Sequence, residues 1–209
     1  MNGLNKEIEQ QLRNENADFV HFVDISMLNI RQNRGFPYAL LIGIAINPHF
    51  IKTVHDSPDY VHTLSDEYAQ AEKRVGMIAD KLAGRLISKG YKALSQSDNA
   101  LITENTFDFA TKTSILPHKT IAVLSGTGYI GKNNLFITAE YGAAQCLGSV
   151  LTNAPLSIME HEIKSSQCGN CNICRDVCPQ KALNGVVWNM NVSRDEIVNV
   201  YDCVTCLKC

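Results

Sequence analysis

The sequence has a single tryptophan, and aromatic residues make up only 7% of it. It has no apolar run near the ~18 residues that a membrane-spanning helix requires. Its most apolar stretch, "YALLIGIAI" at residues 38–46, is far too short. The polar opening "MNGLNKEIEQQLRNENADF" lacks the apolar core of a secretion signal. Neither sign of charge dominates, with 19 basic and 21 acidic residues. A net charge of −2 and a pI near 6.3 exclude a general affinity for polyanions. These absences lead us to expect a cytoplasmic protein with no membrane partner. What is present is ordinary globular material, 45% hydrophobic and 19% charged, enough to bury a real core.

Against that background the cysteines stand out. Seven of the eight lie within residues 168–209, and in a reducing compartment clustered cysteines read as ligands rather than disulfides. Cys146 stands apart in an apolar setting and reads as a small buried hydrophobe. The run "CGNCNICRDVCP" places Cys168, Cys171, Cys174 and Cys178 at C-x2-C-x2-C-x3-C, followed by Pro179. Structural zinc sites pair two knuckles across a longer loop; three cysteines at consecutive x2 spacing followed by x3-C-P match the bacterial ferredoxin run of [4Fe–4S] clusters. The end of the sequence, "CVTCLKC", repeats the first three positions as Cys203, Cys206 and Cys209, each displaced by 35 residues. In two-cluster ferredoxins the fourth cysteine ligates the other cluster. By that logic Cys178 completes one cluster with Cys203, Cys206 and Cys209. The cluster of Cys168, Cys171 and Cys174 then needs a ligand just beyond residue 209, so one of the one or two clusters is expected to be labile or absent in this chain.

A second motif, "GTGYIG" at residues 126–131, matches the dinucleotide pattern G-x-G-x-x-G. That fingerprint should follow a strand and open a helix, whereas here a helix-like segment precedes it and a strand-like one follows. A Rossmann site is therefore not expected. The glycines still mark sharp turns or close approaches, and Lys132, Asn133 and Asn134 add hydrogen-bond donors beside them.

The remaining pattern predicts an α/β (α+β) fold: a mixed-sheet domain over residues 1–160 and a small ferredoxin-like dicluster module over 161–209. A surface helix is expected at 4–17, strands at 19–28 and 38–47, and a long amphipathic helix from Tyr60 to Ser88 stopped by Gly90. A strand at 90–97 would close a βαβ-like unit. Residues 118–125 read as helix up to the glycines, and "NNLFITAEYG" and "QCLGSVLTN" as two strands joined at Gly142. Ser193 and Glu196 form a capping box. Trp188 is expected to shield cluster or core from water.

Taken together, "GTGYIGKNNLFITAEYGAAQCLGSVLTNAPL" followed by "CGNCNICRDVCP" resembles the epoxyqueuosine reductase family, cobalamin-dependent proteins with two [4Fe–4S] clusters that are related to reductive dehalogenases. The resemblance is good over residues 117–209 and general before them. It implies an oxidoreductase in which clusters reduce a corrinoid that acts on a small or nucleoside-like substrate, with tRNA a possible partner. An electron donor such as ferredoxin or flavodoxin is implied too. By position, Gly126, Gly128, Tyr129, Gly131, Lys132 and Asn133 become candidate corrinoid contacts, and the seven clustered cysteines cluster ligands. The family's proton-donating aspartate falls in "TKTSILPHK" at Lys112, so no catalytic acid carries over; Asp108 and His118 are the nearest alternatives. A non-catalytic ferredoxin-like carrier serving a partner enzyme is the competing reading.

Overall fold

The computed structural model describes residues 3–57, 59–159 and 161–205. Helix α1 (Gly3–Asn14) buries Ile8 and Leu12 on one face. It is followed by β1 (Phe19–Asp24), the single-turn α2 (Ile30–Asn33) and β2 (Tyr38–Ala45). A short α3 (Pro48–Asp56) with proline at its start precedes α4 (Glu67–Ser88). The expected start of this long helix at Tyr60 is corrected by seven residues. Asp66 caps it, its Oδ1 accepting from the Ala69 amide at 2.9 Å, and such a cap fixes where the helix begins whatever apolar spacing lies upstream. Gly90, at φ +89°, ends it as expected.

After α4 come β3 (Ala93–Ser95), α5 (Asp98–Thr103), and the two-residue strands β4 (Phe107–Asp108) and β5 (Thr113–Ser114). Then follow α6 (His118–Leu124), β6 (Gly128–Ile130), β7 (Phe136–Thr138) and β8 (Gln145–Thr152). The C-terminal part carries three short helices, α7 (Ile173–Val177), α8 (Arg194–Ile197) and α9 (Val200–Cys203). The capping box at Ser193 and Glu196 is present.

The main sheet has the order β1-β2-β8-β3, and every ladder in it is antiparallel. The α+β class stands, but the expected mixing of strand directions takes a split form. Strands β2 and β3, linked by α4, run parallel to each other with β8 inserted between them. The two strands meeting at Gly142 go to different sheets: β7 pairs with β6, while β8 joins the main sheet.

The period of two along β2 divides its side chains between two cores. Leu40, Ile42 and Ile44 face α1 and α4, packing with Leu12, Val75 and Leu82. Ala39 and Leu41 face the opposite layer with Ile121, Ile130 and Phe136, and Ile197 of the cysteine-rich segment is buried among them. The sheet thus has helices on one side and, on the other, α6, the β6–β7 hairpin and the C-terminal segment. No helix among the described residues is long and apolar enough to cross a membrane.

Candidate metal centre and adjoining cleft

The cysteine run occupies a loop and the helix that follows it. Gly169, at φ +47°, allows the turn in which the Cys171 amide donates to the Cys168 carbonyl at 3.0 Å. Cys174 lies within α7, and Cys178 is its C-terminal cap in an extended conformation, just before Pro179. Cys168, Cys171, Cys174 and Cys178 are in no disulfide, and Cys171 is exposed. Cys203 ends α9 and is exposed. Cys206 and Cys209 lie outside the described residues. Among the described residues no three His, Cys, Asp or Glu groups converge as they would around a single ion.

Lys132 is where the two sequence motifs meet. Its side chain is 4% exposed, and its Nζ donates to the Cys171 carbonyl at 2.9 Å and to Asn172 Oδ1 at 3.0 Å. Its backbone amide points at Cys168 Sγ, 3.4 Å away. Lys132, one of the candidate corrinoid contacts, fastens the β6–β7 hairpin to the cysteine loop.

The glycines beside it are also occupied with protein. A Cβ on Gly126, which sits at φ +67°, would fall 2.4 Å from His161 Cβ, and one on Gly128 would fall 2.2 Å from the Ile137 carbonyl oxygen. The space a cofactor could use against Gly131 holds Ile137 Cδ1 and Asn133 Oδ1. Asn133 Oδ1 also accepts from the Leu135 amide at 3.1 Å, closing the hairpin turn. Tyr129 stands half-buried in β6. Gly126 makes the turn that follows α6, Gly128, Tyr129, Gly131, Lys132 and Asn133 belong to the β6–β7 hairpin, and their neighbours Ile130 and Asn134 reach a cleft.

That cleft, of about 350 Å³, runs between α6 and the C-terminal segment and is walled by Leu28, Ile130, Trp188, Met190 and Val192. Lys112, Lys119 and Arg194 also line it, and no acidic residue does among those described. A second cleft of about 340 Å³ lies on the other side of Lys112, Pro117 and Lys119, and contains Glu72, Asp98 and His118. Trp188, expected to cover cluster or core, packs against the second core and forms part of the first cleft's wall. Nothing local in the sequence marks Lys119, Trp188 and Arg194 as neighbours, because they are brought together only by tertiary packing.

The ionisable groups in these clefts are strongly perturbed. Burial pushes the Lys119 ammonium down to about 8, helped by the charge of Arg194 and opposed by Cys203; its Nζ donates to the Asn134 carbonyl at 2.7 Å. Burial pushes His118 down to about 4, against the pull of Asp98. The tautomer of His118 follows from its partners. Gln96 Nε2 donates to the Leu116 carbonyl, which leaves Oε1 to accept from Ser149 Oγ at 2.9 Å. Ser149 Oγ must then accept from His118 Nδ1, 2.9 Å away. His118 is neutral with its proton on Nδ1, so its Nε2 is a base and not the donor the sequence motif would want. Asp108 lines neither cleft; its carboxylate is held low first by hydrogen bonding to Thr111, and its Oδ1 accepts from the Ala110 amide at 2.8 Å in a surface turn. The Cys146 thiol, buried in β8, is pushed up to about 12, first by burial.

No family model matches the chain. It is similar to epoxyqueuosine reductases in sequence. It is 32% identical over 100 residues to that of Lactococcus garvieae, covering 48% of this chain and 28% of the relative. It is 42% identical over 71 residues to that of Atelocyanobacterium thalassa, covering 34% and 23%. A longer match to that of Synechocystis, 26% over 168 residues, covers 80% and 53%. The matches thus span about half or less of these relatives' length. In fold, the chain is similar to the epoxyqueuosine reductase of Streptococcus thermophilus, with a TM-score of 0.55 at 18% identity, covering 88% of this chain and 54% of that one. A reductive dehalogenase that uses B12 is similar at a TM-score of 0.56 and 18% identity, covering 79% and 23%.

Proposed function

We propose that this chain is an iron–sulfur oxidoreductase of the epoxyqueuosine reductase type. The observation that carries the reading is the joint wall of the 350 Å³ cleft: α6 and β6 form one side, and the segment between the two cysteine groups forms the other. Lys119 lines both clefts.

The donor set suits iron–sulfur clusters. Cys168, Cys171, Cys174 and Cys178 are soft ligands outside any disulfide, and the Lys132 amide offers the first sulfur an N–H donor. Cys203, Cys206 and Cys209 would serve the second cluster with Cys178. A corrinoid is assigned to the cleft rather than to the glycine loop. Its apolar wall would cover only part of a corrin ring, which is larger than the cleft, and Lys112, Lys119 and Arg194 would meet polar and anionic substituents at its edge. The clusters supply single electrons, and a bound corrinoid supplies a strongly reducing cobalt centre.

Removing the oxygen of an epoxide takes two electrons and two protons, leaving an alkene and water. Lys112, in the position of the family's aspartate, is an exposed ammonium on a residue at φ +54°. Lys119 is the more enclosed group, and we assign it one of the two protons. Its hydrogen bond to the Asn134 carbonyl orients the ammonium. One solved epoxyqueuosine reductase is bound to an epoxyqueuosine-modified tRNA stem loop, and the same class of substrate is proposed here. A ferredoxin or flavodoxin would serve as electron donor.

Anaerobic purification followed by iron, sulfide and cobalt analysis tests the reading. Iron and sulfide together with cobalamin uptake support it. Iron and sulfide without cobalamin uptake would leave a ferredoxin-like carrier, and zinc alone would remove both redox readings.

A further inference from the structure

Lys132 buries a positive charge that makes no ion pair with an acidic side chain among the described residues. Its partners are a carbonyl, Cys171 O, and an amide oxygen, Asn172 Oδ1. It is 4% exposed. An isolated buried ammonium is costly, and proteins rarely keep one without a compensating negative charge. Both of its acceptors lie in the loop between Cys171 and Cys174, and its own amide meets Cys168 Sγ. The charge is therefore held against the ligand loop and nowhere else.

We infer that Lys132 is a positioning residue that also sets the reduction potential of the cluster held by Cys168, Cys171 and Cys174. The inference rests on the iron–sulfur reading above. A cubane bound by thiolates becomes one negative charge greater when it takes one electron, with no bond made or broken. A fixed cation nearby stabilises the reduced form more than the oxidised form, and a low-dielectric setting strengthens the difference. The amide hydrogen bond to Cys168 Sγ acts in the same direction. Asn172 opens α7 without capping it through its side chain. Its Oδ1 instead accepts from Lys132, so the loop gives up one local stabilisation to hold the cation in place.

The test is a redox titration of the anaerobically reconstituted full chain, followed by electron paramagnetic resonance, for wild type and three variants. Lys132→Gln keeps a donor without the charge, Lys132→Met removes both, and Lys132→Arg keeps both. At a fixed applied potential near the wild-type midpoint, the reduced-to-oxidised ratio is expected to fall about tenfold in the Gln and Met variants, equivalent to about 59 mV for a one-electron couple. The Arg variant should stay near wild type. Equal midpoints across all four proteins, or a shift in Met but not in Gln, would overturn the inference while leaving the cluster reading intact. A wild-type chain that takes up no iron and sulfide would overturn both, and one that holds a cluster at Cys203, Cys206 and Cys209 but none at Cys168, Cys171 and Cys174 would overturn the inference alone. Should Lys132→Met fail to hold its cluster, the Gln and Arg pair decides the matter.

Discussion

Arg194 donates from Nη1 to the main-chain carbonyl of Lys112 across 3.0 Å, tying the cysteine-rich segment to the rim shared by both clefts. Tyr201 Oη makes a parallel bond to the Ala110 carbonyl at 3.0 Å. These two bonds hold a short segment in which Lys112 itself sits at φ +54°. Replacing Arg194 with alanine is expected to cost about 1–2 kcal/mol, the range for a charge-assisted bond on a partly exposed side chain. Urea unfolding of the chain measures it, and an unchanged midpoint would show that the bond contributes nothing.

Acid should weaken the fold through His118. Its folded-state value of about 4 lies below the usual 6.5, so the unfolded chain binds the proton more readily. Stability is then complete above about pH 6.5 and falls as the pH drops toward 4, by an amount on the order of 3 kcal/mol at most. Asp98 and Glu72 face the same cleft and favour the cation, whereas Lys112 and Lys119 oppose it. Thermal melts of wild type and His118→Gln between pH 5 and 8 should converge at the acid end. A parallel pair of curves would contradict the assignment.

The glycine loop makes a contrast that can be measured. Alanine at Gly126 meets both a positive φ and the backbone around His161, and is expected to cost about 3 kcal/mol. Alanine at Gly142, also at positive φ but facing open space, should cost about 1 kcal/mol. Equal losses at the two sites would mean that the packing around residue 161 is not as described.

Thiol chemistry should separate the lone cysteine from the clustered ones. In the metal-free chain at pH 8, exposed Cys171 is expected to alkylate at least about ten times faster than Cys146, whose thiol is 5% exposed and pushed up to about 12. Mass spectrometry after a short iodoacetamide pulse reads the ratio. Rapid labelling of Cys146 would show that β8 opens readily.

The parts of this molecule legible in the sequence are those with long, regular apolar patterns. Strand β2 announces itself because it is buried on both faces, and α4 because its stripe recurs over six turns. The hairpin of β6 was hidden, since Gly128 has little intrinsic preference for a strand and is placed in one only by pairing with Thr138. The cysteine run and its repeat are legible from spacing alone. The role of Lys132 was not, because its partners lie 39 and 40 residues away and no local pattern links them. The cleft was invisible for the same reason: Lys119 and Trp188 become neighbours only after the C-terminal segment packs Ile197 into the second core.

The central claim is that electrons collected at the cysteines are delivered to a corrinoid in the cleft beside them. Its most direct test is an absorbance titration of cobalamin with the anaerobically reconstituted, iron- and sulfide-loaded chain. Saturable binding near one cobalamin per chain is expected, with a changed spectrum that is weakened by Trp188→Ala and untouched by Cys146→Ala. A cobalamin spectrum identical to that of the free cofactor at every protein concentration would contradict the account.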